Sequence, residues 1–148
     1  TLSKARGLAG ARCGGVAGPP DVIRILSAIQ APYALATPVV ECVEDALQSD
    51  QLEAADATVV EIVKERQRLA DALMAFPFVT KVWPSDANFL LVRFDDAPAI
   101  MRRCTDDGVL LRHFGGDLED CIRISIGTPE ENDTLLATLT AHGDDNNG

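Results

Sequence analysis

The spacing of apolar residues along this chain divides it into a helical part and a mixed part. Up to about Phe76, apolar side chains recur every three or four residues, the pattern of amphipathic helices that pack by one face. Pro32 ends the first run, because a proline disfavours helix in the residue before it, and Thr37-Pro38 is typical of a helix start. Asp50 opens the longest run. Three helices are therefore predicted.

Two details of this helical part carry expectations about packing. The first helix has its apolar residues on one face, at Val22, Ile25, Leu26 and Ile29. In the third helix, Glu65 and Arg68 are three residues apart on the side that we expect to face water, where such pairs give modest support.

Beyond Pro77 the spacing changes to that of strands, with short apolar runs separated by turn residues. The predicted elements are Val79–Trp83, Asn88–Phe94, a helix Pro98–Asp107, Val109–Arg112, Cys121–Ile126 and a helix that begins at Thr128-Pro129-Glu130-Glu131. That tetrapeptide is a capping box with proline at the first helical position. The order predicts an α/β chain whose second part is a compact α+β unit with a mostly antiparallel sheet covered by helices.

The two ends of the chain are less regular. Residues 1–18 are rich in glycine and alanine, which favours turns, with a short strand predicted at Cys13–Ala17. Gly143–Gly148 is polar, and we expect it to fray. Because a helix as long as the third one often bridges two subdomains, we place a domain boundary near residue 50, between residues 1–50 and residues 51–148.

Composition and charge narrow the function classes. Among 148 residues, 47% are hydrophobic and 24% charged, which is ordinary for a globular protein and excludes a disordered acidic tail. Thirteen basic against 23 acidic residues give a net charge of −10, which disfavours a nucleic-acid partner. No apolar stretch approaches the roughly 18 residues of a membrane span, and no secretion signal is visible.

The cysteines and histidines do not predict a metal site. The four cysteines contain no C-x-x-C pair, so zinc and thioredoxin-like chemistry both fail on spacing. His113 and His142 are far apart in the sequence. We expect reduced thiols, as in cytoplasmic proteins, and no bound metal.

Lysine is scarce, and Lys4 stands out among the three lysines. Lys64 and Lys81 are expected on exposed faces, whereas Lys4 lies in a segment of small residues that a planar ligand can approach closely. The hydroxyls of Thr1 and Ser3 and the guanidinium of Arg12 are groups that can hold a phosphate. A pyridoxal 5'-phosphate (PLP) site is one interpretation, and a plain surface charge is the other.

Five segments, in one order along the chain, resemble a known family. Thr1–Gly14 reads T-L-S-K-A-R-G-L-A-G-A-R-C-G. The others are Ala31–Tyr33 with Thr37–Val39, then Asp86–Phe94 (D-A-N-F-L-L-V-R-F), Gly108–Arg112 (G-V-L-L-R) and Cys121–Glu131 (C-I-R-I-S-I-G-T-P-E-E). Together they resemble the fold-type I PLP-dependent aminotransferases, and most closely the histidinol-phosphate aminotransferase family, in its C-terminal part.

The resemblance implies a fold and a set of cofactor residues. Residues 1–50 would be the end of a large PLP-binding domain, and residues 51–148 a small C-terminal domain. Lys4 matches the lysine that binds the cofactor covalently and moves a proton between substrate and cofactor. Thr1, Ser3 and Arg12 match positions around the cofactor phosphate.

The resemblance also implies a substrate. Arg123 matches the arginine that binds the anionic end of the substrate, and Arg112 lies near it. On the residues alone, ordinary strand-end charges are the favoured interpretation of both. In this family the anion is a phosphate, and the implied reaction is a step of histidine biosynthesis. It transfers an amino group between glutamate and imidazole-acetol phosphate, with histidinol phosphate and 2-oxoglutarate as products. A cytoplasmic homodimer is implied for the full-length parent.

Departures from the family pattern keep other functions open. Arg6 stands where the family usually has phenylalanine, and Gly15 where an aromatic residue is common. The family segments that hold the cofactor ring have no match, so we expect this chain not to complete the reaction alone. The alternatives are an inactive or partner-requiring C-terminal fragment, and a related small-substrate aminotransferase or threonine-phosphate decarboxylase of the same fold.

Overall fold

A computed structural model describes residues 1–146, with side chains described through residue 143. The helices are α1 Pro20–Ile29, α2 Thr37–Ala46, α3 Ser49–Met74, α4 Ala97–Asp106 and α5 Pro129–Asn146. The strands are β1 Val79–Val82, β2 Phe89–Phe94, β3 Arg112–His113 and β4 Cys121–Ser125, with a short 3-10 turn at Gly116–Leu118. The chain divides within α3 into two compact units, Thr1–Val59 and Val60–Gly148.

The first unit consists of an irregular loop, α1, α2 and the start of α3. The three predicted helices are present, but Thr37 lies inside α2 and Ala36 is its N-cap, without a side-chain cap bond. Neither α1 nor α2 has a buried residue in the described structure, and Ile29 of the expected packed face is 78% exposed. The predicted strand at Cys13–Ala17 is wrong. This segment has no strand assignment, and a strand without a pairing neighbour is marginal in water.

The second unit is built on one antiparallel sheet of four strands. Their order is β1-β2-β4-β3, with Leu91 opposite Arg123 and Arg112 opposite the same Arg123 on the other side. Alternation along β2 buries Leu90, Val92 and Phe94 against the helices and leaves the other face open. The core combines these with residues of α3, α4, β4 and α5, among them Leu69, Leu73, Ile100, Ile122, Ile124, Leu135 and Leu139. The predicted α+β unit is confirmed.

One predicted strand is shorter than expected. Val109–Arg112 was expected to pair along its length, but β3 is Arg112–His113 only. Val109 instead donates its backbone N–H to Cys104 of α4 at 2.7 Å, so the chain is still leaving that helix. Leu110 is 86% exposed, so residues 109–111 form a connecting segment and do not pair with β4.

A buried carboxylate joins α3 to α5. Glu65 is 4% exposed, and its oxygens accept N–H groups of Arg68 at 2.6–3.1 Å. Its Oε2 also accepts Nδ2–H of Asn132, which is itself buried in α5, at 2.9 Å. The predicted i,i+3 pair is therefore present, but the expectation that Glu65 faces water is wrong. The partner that covers it is 67 residues away in the sequence.

Asn132 carries this connection to the end of β4. Its Oδ1 accepts the backbone N–H of Gly127, and its Nδ2 donates to the Gly127 carbonyl, both at 3.1 Å. The capping box predicted at the start of α5 is confirmed next to it, because Thr128 N–H donates to Glu131 Oε2 at 2.8 Å. A Cβ at Gly127 would lie 2.9 Å from the Cβ of Glu131, so only glycine fits this turn.

Arg68 makes further hydrogen bonds between α3 and the start of α5. Its NH1 donates to Asp133 at 2.7 Å and its NH2 to the Pro129 carbonyl at 3.3 Å. The Arg68 guanidinium, and then the Asn132 amide, hold the pKa of Glu65 below its ordinary value, against the opposing effect of burial. The ionised carboxylate is thus the form that the fold binds.

Acid should therefore weaken the second unit through Glu65. A lowered folded-state pKa gives stability that is present above the ordinary value of 4.5 and is lost as the pH falls through the folded value. We expect Glu65→Gln to reduce stability at pH 7 and to flatten its decline from pH 6 to pH 3, measured by urea unfolding. Glu61→Gln, an exposed change on the same helix, is the matched control. Equal pH profiles for wild type and Glu65→Gln would contradict this role.

Candidate functional site

The lysine-bearing segment closes into a loop in the first unit. The backbone N–H of Leu2 donates to the Cys13 carbonyl at 3.4 Å, and that of Leu8 donates to the Leu2 carbonyl at 3.2 Å. Residues 1–3 are thereby held beside residue 13, which follows Arg12 directly. The sequence-predicted cofactor residues Thr1, Ser3, Lys4 and Arg12 thus all lie in one small loop.

Lys4 begins a tight turn within that loop. The Gly7 N–H donates to the Lys4 carbonyl at 3.0 Å, and Gly7 has a φ of +67°, a conformation that glycine adopts without steric cost. The Lys4 side chain is exposed, and its amine has no hydrogen-bond or ion-pair partner in the part of the chain that the structure describes. A lysine amine that no carboxylate binds is available to add to an aldehyde.

The groups around Lys4 include two hydroxyls in contact and one arginine in an unusual conformation. Thr1 Oγ1–H donates to Ser3 Oγ at 2.9 Å, and the Ser3 N–H donates to Thr1 Oγ1 at 3.2 Å. Arg12 has a φ of +52° and donates NH1–H to the Ala9 carbonyl at 3.0 Å. A non-glycine residue in the left-handed region carries strain, and such residues cluster at functional sites.

This donor set fits the chemistry of PLP. The cofactor presents an aldehyde, which an amine can bind covalently, and a phosphate, which hydroxyls and a guanidinium can hold. Within fourteen residues the loop provides the Lys4 amine, the hydroxyls of Thr1 and Ser3, and the guanidinium of Arg12. The fit rests on the kinds of groups present in the loop.

A pair of arginines occupies the open face of the sheet in the second unit. Arg112 and Arg123 are directly opposite each other in the antiparallel ladder, and both are exposed. Arg123 Cζ lies 5.3 Å from the centroid of the Phe89 ring, and Arg112 Cζ lies 6.0 Å from that of Phe114. Neither has a carboxylate partner among the described residues.

A third arginine on this sheet, Arg93, differs from this pair because it has a carboxylate partner. Arg93 forms an ion pair with Asp120 at 2.7 Å. Like charges directly opposite in a ladder destabilise a sheet, and no described carboxylate compensates Arg112 and Arg123. His113 holds the strand next to Arg112, because its Nε2 donates to the Glu119 carbonyl at 2.6 Å. The pair is therefore a fixed cationic spot suited to a doubly charged anion.

Sequence reasoning missed several residues that the structure connects to these groups. Phe89 and Phe114 underlie the two arginines, and only the strand register could have placed Phe89 there. Arg6, noted only as a departure from a family pattern, forms an ion pair with Asp56 at 2.7 Å. Gly15 has open space beside it, and no neighbour replaces the missing aromatic ring.

Other chemistries find no support in the described part of the chain. No group of three or more His, Cys, Asp or Glu side chains there could hold a metal ion. No described helix has the length and apolar character needed to cross a membrane. Cys104 is buried, and that burial raises the pKa of its thiol to about 11, so it remains protonated and unreactive.

The repulsion between the paired arginines should be measurable. We expect Arg112→Gln to raise the free energy of unfolding at low ionic strength by about 0.2–1 kcal/mol, because it removes one of two opposed charges. The gain should shrink in high salt, which screens exposed charges. The control Arg93→Gln breaks an ion pair and should lower stability. A loss of stability in Arg112→Gln at low salt would show that the pair carries no repulsion.

Comparison with known proteins gives a family match over most of the chain. The family model described as aminotransferase class I and II matches residues 1–139. The histidinol-phosphate aminotransferase of Xylella fastidiosa (strain 9a5c) is 44% identical over 141 residues, which are 94% of this chain and 39% of that protein. That of Stenotrophomonas maltophilia (strain R551-3) is 44% identical over 143 residues, 95% of this chain and 39% of its own length.

Solved structures agree with the sequence matches. A chain from Burkholderia pseudomallei K96243, assigned as an aminotransferase, has a TM-score of 0.86 at 35% identity, over 97% of this chain and 44% of its own. The histidinol-phosphate aminotransferase of Sinorhizobium meliloti, solved in complex with PLP, has a TM-score of 0.73 at 26% identity. The match covers 98% of this chain and 40% of that one. The chain thus spans about two fifths of the length of the curated relatives it matches.

Proposed function

The chain belongs to the class I and II aminotransferase family, and from this premise we propose that it provides the cofactor lysine and the substrate-binding arginines of a histidinol-phosphate aminotransferase. The reaction is the PLP-dependent transfer of an amino group between glutamate and imidazole-acetol phosphate. Relatives at 44% identity carry the name of that enzyme, which supports the assignment.

The observation that carries the proposal is the uncompensated pair Arg112 and Arg123. A substrate phosphate brings up to two negative charges, and two guanidinium groups on adjacent strands can neutralise them with charge-assisted hydrogen bonds. Each guanidinium group lies over an aromatic ring, Arg112 over Phe114 and Arg123 over Phe89. An imidazole ligand that lacks the phosphate, such as histidinol, loses this attraction.

Lys4 has the central chemical role in the proposal. When bound, PLP supplies a ring that withdraws electrons from the substrate Cα. The exposed Lys4 amine would hold the cofactor before the substrate arrives and would then move a proton between the substrate Cα and the cofactor. Thr1, Ser3 and Arg12 hold the cofactor phosphate with two hydroxyls and a guanidinium. The family resemblance implies these roles, and the kinds of groups in the loop support them.

The proposal extends to the organisation of the protein. We assign residues 1–50 to the end of a large PLP-binding domain and residues 51–148 to a small C-terminal domain. A cytoplasmic homodimer is the state that the family resemblance favours. The reduced, unpaired cysteines in the described structure are compatible with that compartment.

The substrate assignment is tested by comparing ligands that differ in the phosphate. We expect histidinol phosphate to bind the 148-residue chain, measured by titration calorimetry, and histidinol to bind at least about tenfold more weakly. Arg123→Gln should remove most of that difference, and Arg93→Gln, the matched control, should preserve it. O-phosphothreonine in the same titration separates a phosphate site from one that also favours the imidazole. Equal binding of histidinol and histidinol phosphate would contradict the proposed substrate.

The cofactor assignment is tested by chemical trapping. The chain is incubated with PLP, reduced with borohydride and mapped by peptide mass spectrometry. We expect a stoichiometric adduct on Lys4, with Lys64 and Lys81 as internal references for exposed surface amines. Lys4→Ala should abolish the adduct at that position. Adducts spread evenly over the three lysines, or none, would instead support a chain whose chemistry needs further sequence.

A further inference from the structure

Arg6 crosses from the lysine-bearing loop to helix α3. Its NH1 donates to Asp56 Oδ1 at 2.7 Å and to the Leu52 carbonyl at 3.3 Å. Leu52 and Asp56 are four residues apart, so they lie on the same face of the helix in successive turns. The Arg6 side chain is only 25% exposed, whereas Asp56 is 67% exposed. The Arg6 guanidinium is thus partly buried and bound to two groups on one face of the helix.

The same arginine belongs to the turn that contains Lys4. The turn runs from Lys4 to Gly7 and is closed by the Gly7 N–H bond to the Lys4 carbonyl. Arg6 is its third residue, and Lys4 is its first. Because the backbone of a closed turn moves as one piece, a contact that fixes Arg6 also fixes the Cα of Lys4.

We propose that Arg6 is a positioning residue, which holds the Lys4 turn against helix α3 through Asp56 and the Leu52 carbonyl. This inference rests on the proposed function of Lys4 as the cofactor lysine. It also gives a physical role to an arginine at a position where the resembling family usually has phenylalanine. A polar anchor here replaces the apolar packing that an aromatic ring would supply.

An anchor of this kind has a property that apolar packing lacks. Asp56 is mostly exposed, so salt screens its attraction for Arg6. An exposed ion pair changes the equilibrium between the bound and released positions of its side chains by roughly one- to fivefold. We expect an effect near the upper end of this range, because Arg6 also donates to the Leu52 carbonyl. Salt should therefore loosen the Lys4 turn in the wild-type chain and have less effect once the pair is removed.

The test uses a small set of variants of the 148-residue chain. Arg6→Gln and Asp56→Asn each remove one charge of the pair, and the double variant removes both. Asp56→Glu keeps the carboxylate and serves as the conservative variant. Arg24→Gln removes an equivalent arginine from the exposed pair with Asp21 in α1, so it controls for the change in net charge.

Two readouts separate positioning from general destabilisation. The first is hydrogen exchange of the Gly7 amide, which reports the turn without any cofactor. The second is the rate of PLP adduct formation on Lys4, relative to Lys64 and Lys81 in the same chain. Circular dichroism and the melting temperature confirm that each variant has wild-type helix content under the conditions used.

We expect Arg6→Gln and Asp56→Asn each to speed Gly7 exchange and lower the relative Lys4 rate by about two- to fivefold. The double variant should be no worse than either single change, because both remove one interaction. Asp56→Glu should restore most of the wild-type behaviour, and Arg24→Gln should match the wild type. In the wild type alone, high salt should reproduce part of the loss.

The two hypotheses fail in different ways. A wild-type chain that forms no preferential Lys4 adduct contradicts the proposed function, while Gly7 exchange still decides whether Arg6 holds the turn. Wild-type Gly7 exchange in Arg6→Gln would overturn the anchor. Faster exchange with an unchanged relative Lys4 rate would overturn the positioning role, because the turn would then be held without consequence for the lysine.

Discussion

The buried carboxylate of Glu65 is the constraint on which the second unit depends. An ionised group removed from water must be fully paired, and Arg68 and Asn132 supply that pairing from two different helices. Asn132 then uses its remaining groups on both backbone atoms of Gly127. One charge therefore fixes α3, the start of α5 and the turn between them and the sheet. A buried ion pair is weak evidence for stability, but it specifies a single arrangement.

The same arrangement determines which residues of β4 lie on the open face of the sheet. Gly127 follows β4 by two residues, so the end of the strand that carries Arg123 is held by the Asn132 amide. The apolar face of the same strand is buried through Ile122 and Ile124, which forces Arg123 to the other side by alternation. Arg112 then meets it across the ladder. In the function that we propose, a bound anion offsets the cost of placing two cations opposite each other.

Much of this fold could be predicted from local pattern. The long helix, the strands β1, β2 and β4 and the capping box at Thr128 depend on residues close together in the sequence, and the structure has all of them. The antiparallel sheet was predicted from the order of these elements, although its strands pair residues far apart in the sequence. The errors fall where a distant partner decides. Glu65 was expected in water because its own helix offers no reason to bury it. Cys13–Ala17 and Val109–Leu111 have strand-like composition, but no neighbouring strand pairs with them.

The sequence by itself determined the element types, the loop chemistry around Lys4 and the presence of arginines on two adjacent strands. These depend on composition and short-range spacing, which are visible in the chain. Only the tertiary structure decided that Arg112 and Arg123 are directly opposite each other with no described carboxylate beside them, and that Arg6 reaches Asp56, 50 residues away. Pairings at that separation are set by packing, because many side chains compete for each partner and only the folded backbone brings one of them within hydrogen-bond distance.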